Sequence, residues 1–140
     1  MALKNYGLPF SADYVAFGDW RYQHGYAAMT DLLSRRNNTG ITAVFATSDE
    51  MAVGAMRCIH DHGLRVPEDI SVIGFDDLAI ADMITPKLTT VRQDFEQIGS
   101  EAVHFLMDIV EGKRRGANGG VHYISHQIIG RESVAFVSES

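Results

Sequence analysis

The sequence has 140 residues, 46% of them hydrophobic and 21% charged, the profile of one globular domain with its own core. A formal net charge of −6 excludes a surface built as a whole to meet nucleic acid. The single cysteine, Cys58, excludes an internal disulfide and fits a reducing, cytoplasmic setting, where it is expected to pack on a helix beside Met56 and Ile59. No apolar run reaches the roughly 18 residues that a membrane span needs.

Met1 to Leu8 (MALKNYGL) lacks the layout of a signal peptide and reads as a helix end, so the natural chain is expected to begin further upstream. Tyr14 to Gly18 (YVAFG) is an apolar strand candidate, and Asp19 follows it as a cap for the next helix, where a carboxylate accepts from free N–H groups. In that helix Tyr22, Tyr26, Met29 and Leu33 recur at spacings of four, three and four, one helical face. Asn37 to Gly40 has turn chemistry, and Ala43 to Thr47 (AVFAT) is the next strand. Ser48 is a cap for a third segment, with Asp49 and Glu50 in the first turn, where negative charge suits the helix dipole. Met51, Ala52, Ala55, Met56 and Ile59 form its buried stripe, Gly63 sits at the C-terminal cap and Pro67 blocks continuation.

Ile70 to Phe75 (ISVIGF) is a further strand, ending on the carboxylates Asp76 and Asp77. An irregular stretch broken by Pro86 leads to Leu88 to Arg92 (LTTVR), rich in β-branched residues. Asp94 and Gln97 make a capping-box pattern before a helix with Phe95, Ile98, Ala102, Phe105 and Ile109 on one face, closed by Gly112. Val121 to Ile129 is the last strand candidate. Strand and helix alternate, which predicts an α/β fold with a mostly parallel sheet and flanking helices. In open parallel sheets ligands collect outside the carboxyl ends of the strands. Gly18-Asp19-Trp20, Thr47-Ser48-Asp49 and Phe75-Asp76-Asp77 therefore converge on one rim.

Enzyme signatures are absent: there is no nucleophile elbow, no dinucleotide fingerprint and no phosphate-binding loop. An acid/base pair of Asp76 and Asp77 lacks any nucleophile or metal beside it, so the chain is read as non-enzymatic, without cofactor or metal. His60-Asp61-His62 are adjacent helical positions that do not share a face, and His122 with His126 lacks the further ligands a zinc site wants. Lys113-Arg114-Arg115 reads as solvated charge after a helix. The sequon Asn37-Asn38-Thr39 carries no meaning in a cytoplasmic chain. Binding signatures are stronger. Trp20, the only tryptophan, offers an indole face to a sugar or a base. Asp76 can accept two hydroxyl hydrogen bonds, as a polyol requires, and Gln93 can donate and accept.

The segments TSDEMAVGAMRCIHDHGLRVPEDISVIGFDD and PKLTTVRQDFEQIGSEAVHFLMDIVEG, with GDW near the start and IIGRESV near the end, closely resemble the lactose/galactose-repressor (LacI/GalR) family of bacterial transcription regulators. The resemblance covers nearly the whole chain and implies the fold of type I periplasmic binding proteins, in part: residues 1–93 as the C-terminal effector-binding subdomain, 94–120 as a crossover helix belonging to the other subdomain, and 121–140 as a return strand and tail. It implies a small-molecule effector, sugar-like, in a cleft lined by Trp20, Ser48, Asp76 and Gln93, with Phe95 as an apolar wall. Ser48 departs from the asparagine that sugar-binding relatives often carry there; a plain helix cap needs no ligand, and both readings stand. The resemblance further implies a homodimer, through the helix Asp49 to His62 and the strand Leu88 to Val91, and an operator bound only through an N-terminal helix-turn-helix outside this sequence. The alternative on the same fold is a solute-binding protein for sugar transport.

Overall fold

The computed structural model describes residues 2–8, 10–113 and 123–136. A short helix α1 (Ala2–Asn5) and a 3-10 turn (Ala12–Tyr14) lead to α2 (Tyr22–Ser34), which is followed by the short α3 (Arg36–Thr39). Then come β1 (Ala43–Phe45), α4 (Asp49–Asp61), β2 (Ser71–Asp76), the short α5 (Ile80–Met83), β3 (Thr89–Arg92), α6 (Phe95–Val110) and β4 (Gln127–Ile129). Among the described residues four strands form one sheet in the order β1-β2-β3-β4. β1, β2 and β3 run parallel, with Val44 opposite Val72 and Gly74 opposite Thr90. β4 returns antiparallel to β3, with Ile128 opposite Val91.

The periodicity of α4 decides where the core sits. Met51, Ala52, Ala55, Met56, Cys58 and Ile59 are all buried, and they meet Ile70, Val72 and Leu88 from the sheet side. Cys58 is a packing residue with no disulfide partner; burial pushes its thiol up despite the Thr30 hydroxyl beside it. Ser48 caps α4 by accepting from the Met51 N–H at 3.2 Å. α2 lies against α4 at a very close crossing. A Cβ on Gly25 would stand 2.2 Å from the Met51 carbonyl oxygen, and one on Gly54 would stand 2.1 Å from that of Tyr22. Met29 of α2 is buried in the same core. The opposite sheet face is open: Phe45 and Ile128 stay exposed, with Phe75 edge-on to Phe45 and stacked at a tilt on His126.

Three expectations change. The first concerns Tyr14 to Gly18, which is no strand of this sheet. Val15 has extended backbone, and Ala16 lines a small cavity with Val44, Phe45 and Ala46, yet residues 15–19 stay outside the ladder. An apolar run becomes a strand only where a ladder partner accepts it, and β1 pairs with β2 alone. Asp19 is not the cap of α2 either. That position belongs to Arg21, which makes no side-chain cap bond, while Asp19 accepts from the Arg21 N–H at 3.4 Å and pairs with His24. Finally, the strand Leu88 to Val91 cannot serve as a dimer contact, because Leu88, Thr89 and Thr90 are buried and β3 is paired on both edges.

α6 is capped as its sequence predicts, Asp94 accepting from the Gln97 N–H at 2.8 Å. None of its residues is buried. Its apolar side chains Val103, Leu106 and Val110 are exposed. Arg114, Arg115, Val121 and His122 lie outside the described residues; of the last strand candidate, residues 123–126 are irregular and only Gln127–Ile129 joins the ladder, where β3 offers it a partner. Among the described residues no helix is long and apolar enough to cross a membrane.

Candidate functional site

The end of β2, the end of β3 and the start of α4 lie along one rim of the sheet. Among the described residues, the non-glycine positions with positive φ are Trp20 (69°), Asp76 (107°) and Asp77 (55°). Such backbone costs about 1–3 kcal/mol per residue and collects at functional sites. All three positions fall on segments that the sequence assigns to the rim.

The two adjacent carboxylates have different surroundings. The Asp76 side chain is half-buried, and its Oδ1 accepts from Gln93 Nε2 at 2.6 Å. The Asp77 side chain is 7% exposed and accepts from Arg92 Nε at 2.6 Å and Arg131 Nη2 at 2.7 Å. Arg131 also donates to the Leu88 carbonyl at 2.8 Å. Burial pushes the Asp77 carboxyl up, but its bonds to the Arg131 and Arg92 guanidiniums outweigh this and hold it below the ordinary carboxylate range. Asp77 is thus a clamp that ties the end of β2 to β3 and to the returning chain. Asp76 keeps its Oδ2 for other partners.

Beneath them sits a third carboxylate. Asp49 is fully buried; its Oδ1 accepts from the Thr90 hydroxyl at 2.6 Å and its Oδ2 from the Leu78 N–H at 2.7 Å. Burial pushes this carboxyl up, opposed by those two hydrogen bonds and reinforced by the nearby charges of Asp76 and Asp77. The carboxylate needs Gly74 next to it, since a Cβ there would lie 2.3 Å from Asp49 Oδ1. Thr90 in turn accepts from the Asp77 N–H at 3.4 Å.

Ser48 is 4% exposed, and besides capping α4 it donates to the Trp20 carbonyl at 2.9 Å. Trp20 as a residue is 67% exposed. The structure therefore joins Trp20 to Ser48 and Asp76 to Gln93, with the Asp49–Thr90 pair between them. Phe95, 55% exposed, opens α6 two residues after Gln93. Sequence reasoning missed Thr90, Arg92 and Arg131. It placed Asp49 on the rim but gave it no role beyond a helix-dipole charge, because nothing local separates it from the exposed Glu50 beside it.

His60 and His62 make no bond to the rim's polar network, His126 stacks on Phe75, and His122 lies outside the described residues. His60 is exposed, and His62 Nδ1 lies 2.8 Å from the Cys58 carbonyl oxygen. Among the described residues no cluster of His, Cys, Asp or Glu is placed to hold a metal ion. The site is an acceptor-rich edge flanked by an exposed indole, suited to hydroxyl or N–H donors on a ligand with an apolar face.

The model of the periplasmic binding protein-like domain matches residues 1–134. The chain belongs to that family. Its relatives are regulators of the LacI type. The transcriptional repressor PurR of Pectobacterium carotovorum subsp. carotovorum (strain PC1) is 40% identical over 134 residues, covering 96% of this chain and 38% of PurR. The solved complex of the transcriptional regulator CelR with cellobiose superposes with a TM-score of 0.83 at 36% identity, covering 94% of this chain and 39% of that one. The lac repressor dimer bound to operator and the anti-inducer ONPF superposes with a TM-score of 0.71 at 34% identity, covering 84% and 39%. The chain thus corresponds to part of a LacI/GalR-type effector-binding domain, and it spans 38% of the PurR relative's length. These relatives are named as transcription regulators, and none of the three is named as an enzyme.

Proposed function

We propose that this chain is the effector-sensing part of a cytoplasmic LacI-family transcription regulator, which binds a sugar-like small molecule between two subdomains and thereby controls an operator-binding region elsewhere in the protein. The observation that carries this reading is the rim itself: strained backbone at Trp20, Asp76 and Asp77 beside an exposed indole and a carboxylate with an open oxygen. Trp20 stacks on the ligand's apolar face, Asp76 accepts its hydroxyls, Gln93 adjoins them and Phe95 forms the wall. Ser48, with its hydroxyl already bonded on both sides, acts by holding Trp20 in place. Residues 1–93 form one subdomain, and α6 belongs to the other, in keeping with its lack of any buried residue. The cellobiose complex of CelR supports the ligand class.

Pairing with a second copy uses the side of α4 where Val53, Leu64 and Ile84 line an open groove of about 540 Å³; the lac repressor dimer supports this. Sedimentation of the full-length protein should show a dimer, and monomer alone at high concentration would argue against it.

The effector reading is tested by titrating the emission of Trp20 in the full-length protein with sugars, sugar phosphates and nucleobases. Any further tryptophan in the full-length chain is first replaced by phenylalanine. A saturable change with one compound, lost in Asp76→Ala, is the expected result. A response untouched by Asp76→Ala would overturn the site assignment.

A further inference from the structure

Two bonds tie the place where the chain leaves β3 for α6 to the rim: Gln93 to Asp76 at 2.6 Å and Arg92 to Asp77 at 2.6 Å. The returning chain is tied there as well, through Arg131 to Asp77 at 2.7 Å. One dipeptide at the end of β2 therefore grips both segments that pass between the α/β unit and α6. The two grips differ in kind. Asp77 is held by two guanidiniums and is nearly closed to solvent. Asp76 is held by a neutral amide and remains half open. A charged acceptor and a neutral donor make a bond that a ligand hydroxyl can match.

We propose that Gln93 is a positioning residue: in the ligand-free protein its amide stands in for the ligand on Asp76, and a ligand donor that engages Asp76 does so against this bond. Occupancy of the rim is then passed to the chain entering α6 while the Asp77 clamp stays shut. This deepens the effector reading above and rests on it. A ligand shifts a conformational equilibrium only through its differential interaction with the two states. Competition for Asp76 supplies such a difference, since the Gln93 bond exists in one state and is broken or shared in the other. It also reverses the expectation for Gln93. A direct ligand contact loses affinity when truncated, whereas an internal competitor raises affinity when removed.

The test uses the full-length protein as wild type, Gln93→Ala, Gln93→Asn (whose amide is one methylene too short to reach) and Asp76→Ala, each checked for folding by circular dichroism. Hydrogen exchange is followed without ligand at the Gln97 and Ile98 amides, which are bonded to Asp94 at the start of α6. Both Gln93 variants should speed it several-fold, because the tie that fixes this turn is gone. Exchange equal to wild type in both variants overturns the proposal, and this arm decides alone if neither probe sugar binds. Calorimetry with cellobiose and with lactose then reads the sign. Gln93→Ala should bind the responding sugar about tenfold more tightly, the loss of one charge-assisted competitor. The sugar-induced change in exchange at Gln97 and Ile98 should shrink towards zero in the same variant. Weaker binding in both Gln93 variants overturns the competitor role and leaves the site reading standing. Sugar binding that survives Asp76→Ala removes the site reading instead, while the ligand-free exchange still judges the Gln93 tie.

Discussion

Asp77 satisfies two guanidiniums with one carboxylate, and the side chain of one of them, Arg131, is only 15% exposed. Removing the carboxylate leaves that arginine with the Leu88 carbonyl and a distant Asp82 at 3.7 Å. Asp77→Ala should therefore destabilise the protein by on the order of 3 kcal/mol, the penalty for orphaning one member of a buried ion pair, read as a lower urea midpoint. Asp49 fails differently. Both its oxygens accept hydrogen bonds, one from Thr90 and one from Leu78. An asparagine side chain presents one acceptor and one donor, so one of those two partners must face a donor. Asp49→Asn should cost about 1–3 kcal/mol for the buried group left unsatisfied. Thr90→Val, which removes the hydroxyl at nearly constant shape, should cost less in the Asp49→Asn background than in wild type. A double-mutant cycle measures the difference, and equal costs in both backgrounds would show that the two side chains do not act as a pair.

The crossing of α2 over α4 places Trp20 beside Ser48, since Trp20 immediately precedes α2's first turn and Ser48 caps α4. That crossing depends on two missing side chains, at Gly25 and Gly54, each facing a backbone carbonyl. Backbone cannot step aside as a flexible side chain can. Gly54→Ala should push the helices apart and cost about 1–3 kcal/mol or more as an overpacked contact. The same displacement should shift the Trp20 emission by moving its environment, a change that a purely local loss of stability would not produce in the still-folded protein. These elements also show what a sequence can and cannot disclose. The stripe on α4 was legible because 3.6-residue periodicity is a local signal, and so were the caps at Ser48 and Asp94, which act within three residues. The strand at Tyr14 to Gly18 was misread because ladder pairing depends on what lies alongside, which local pattern does not carry. On the rim, Trp20, Asp76 and Gln93 stood out as ligand-type residues at segment ends. Asp49, Thr90 and Arg131 did not, because their partners are 41 and 54 residues away in sequence.

On the scale of the whole molecule, carboxylates of opposite tendency set how stability responds to acid. Asp77, Asp69 and Asp61 are held below their ordinary value: Asp77 by its two arginines against burial, Asp69 by Arg65, and Asp61 by Arg57. Each contributes stability that is complete above the unfolded-state carboxyl pKa, about 3.9 for Asp, and that is lost as pH falls through the lower folded value. Asp49 is pushed the other way by burial. Between the unfolded value and its higher folded value the native state holds a proton that the unfolded chain has released, so stability rises there as pH falls. These four groups together favour mildly acidic pH and contribute a fall below about pH 4. Thermal melts of the full-length protein against pH contain every other carboxylate too, so the informative quantity is the difference between wild type and variant. For Asp49→Asn that difference should change on the mildly acidic limb and be flat below it. For Asp77→Asn it should be flat at neutral pH and narrow as pH drops below about 4, where wild type loses the same interaction. If the Asp77 difference were instead constant down to about pH 2, the carboxylate would not be titrating against its arginines. The clamp that holds the end of β2 to both crossover segments would then have to rest on packing alone.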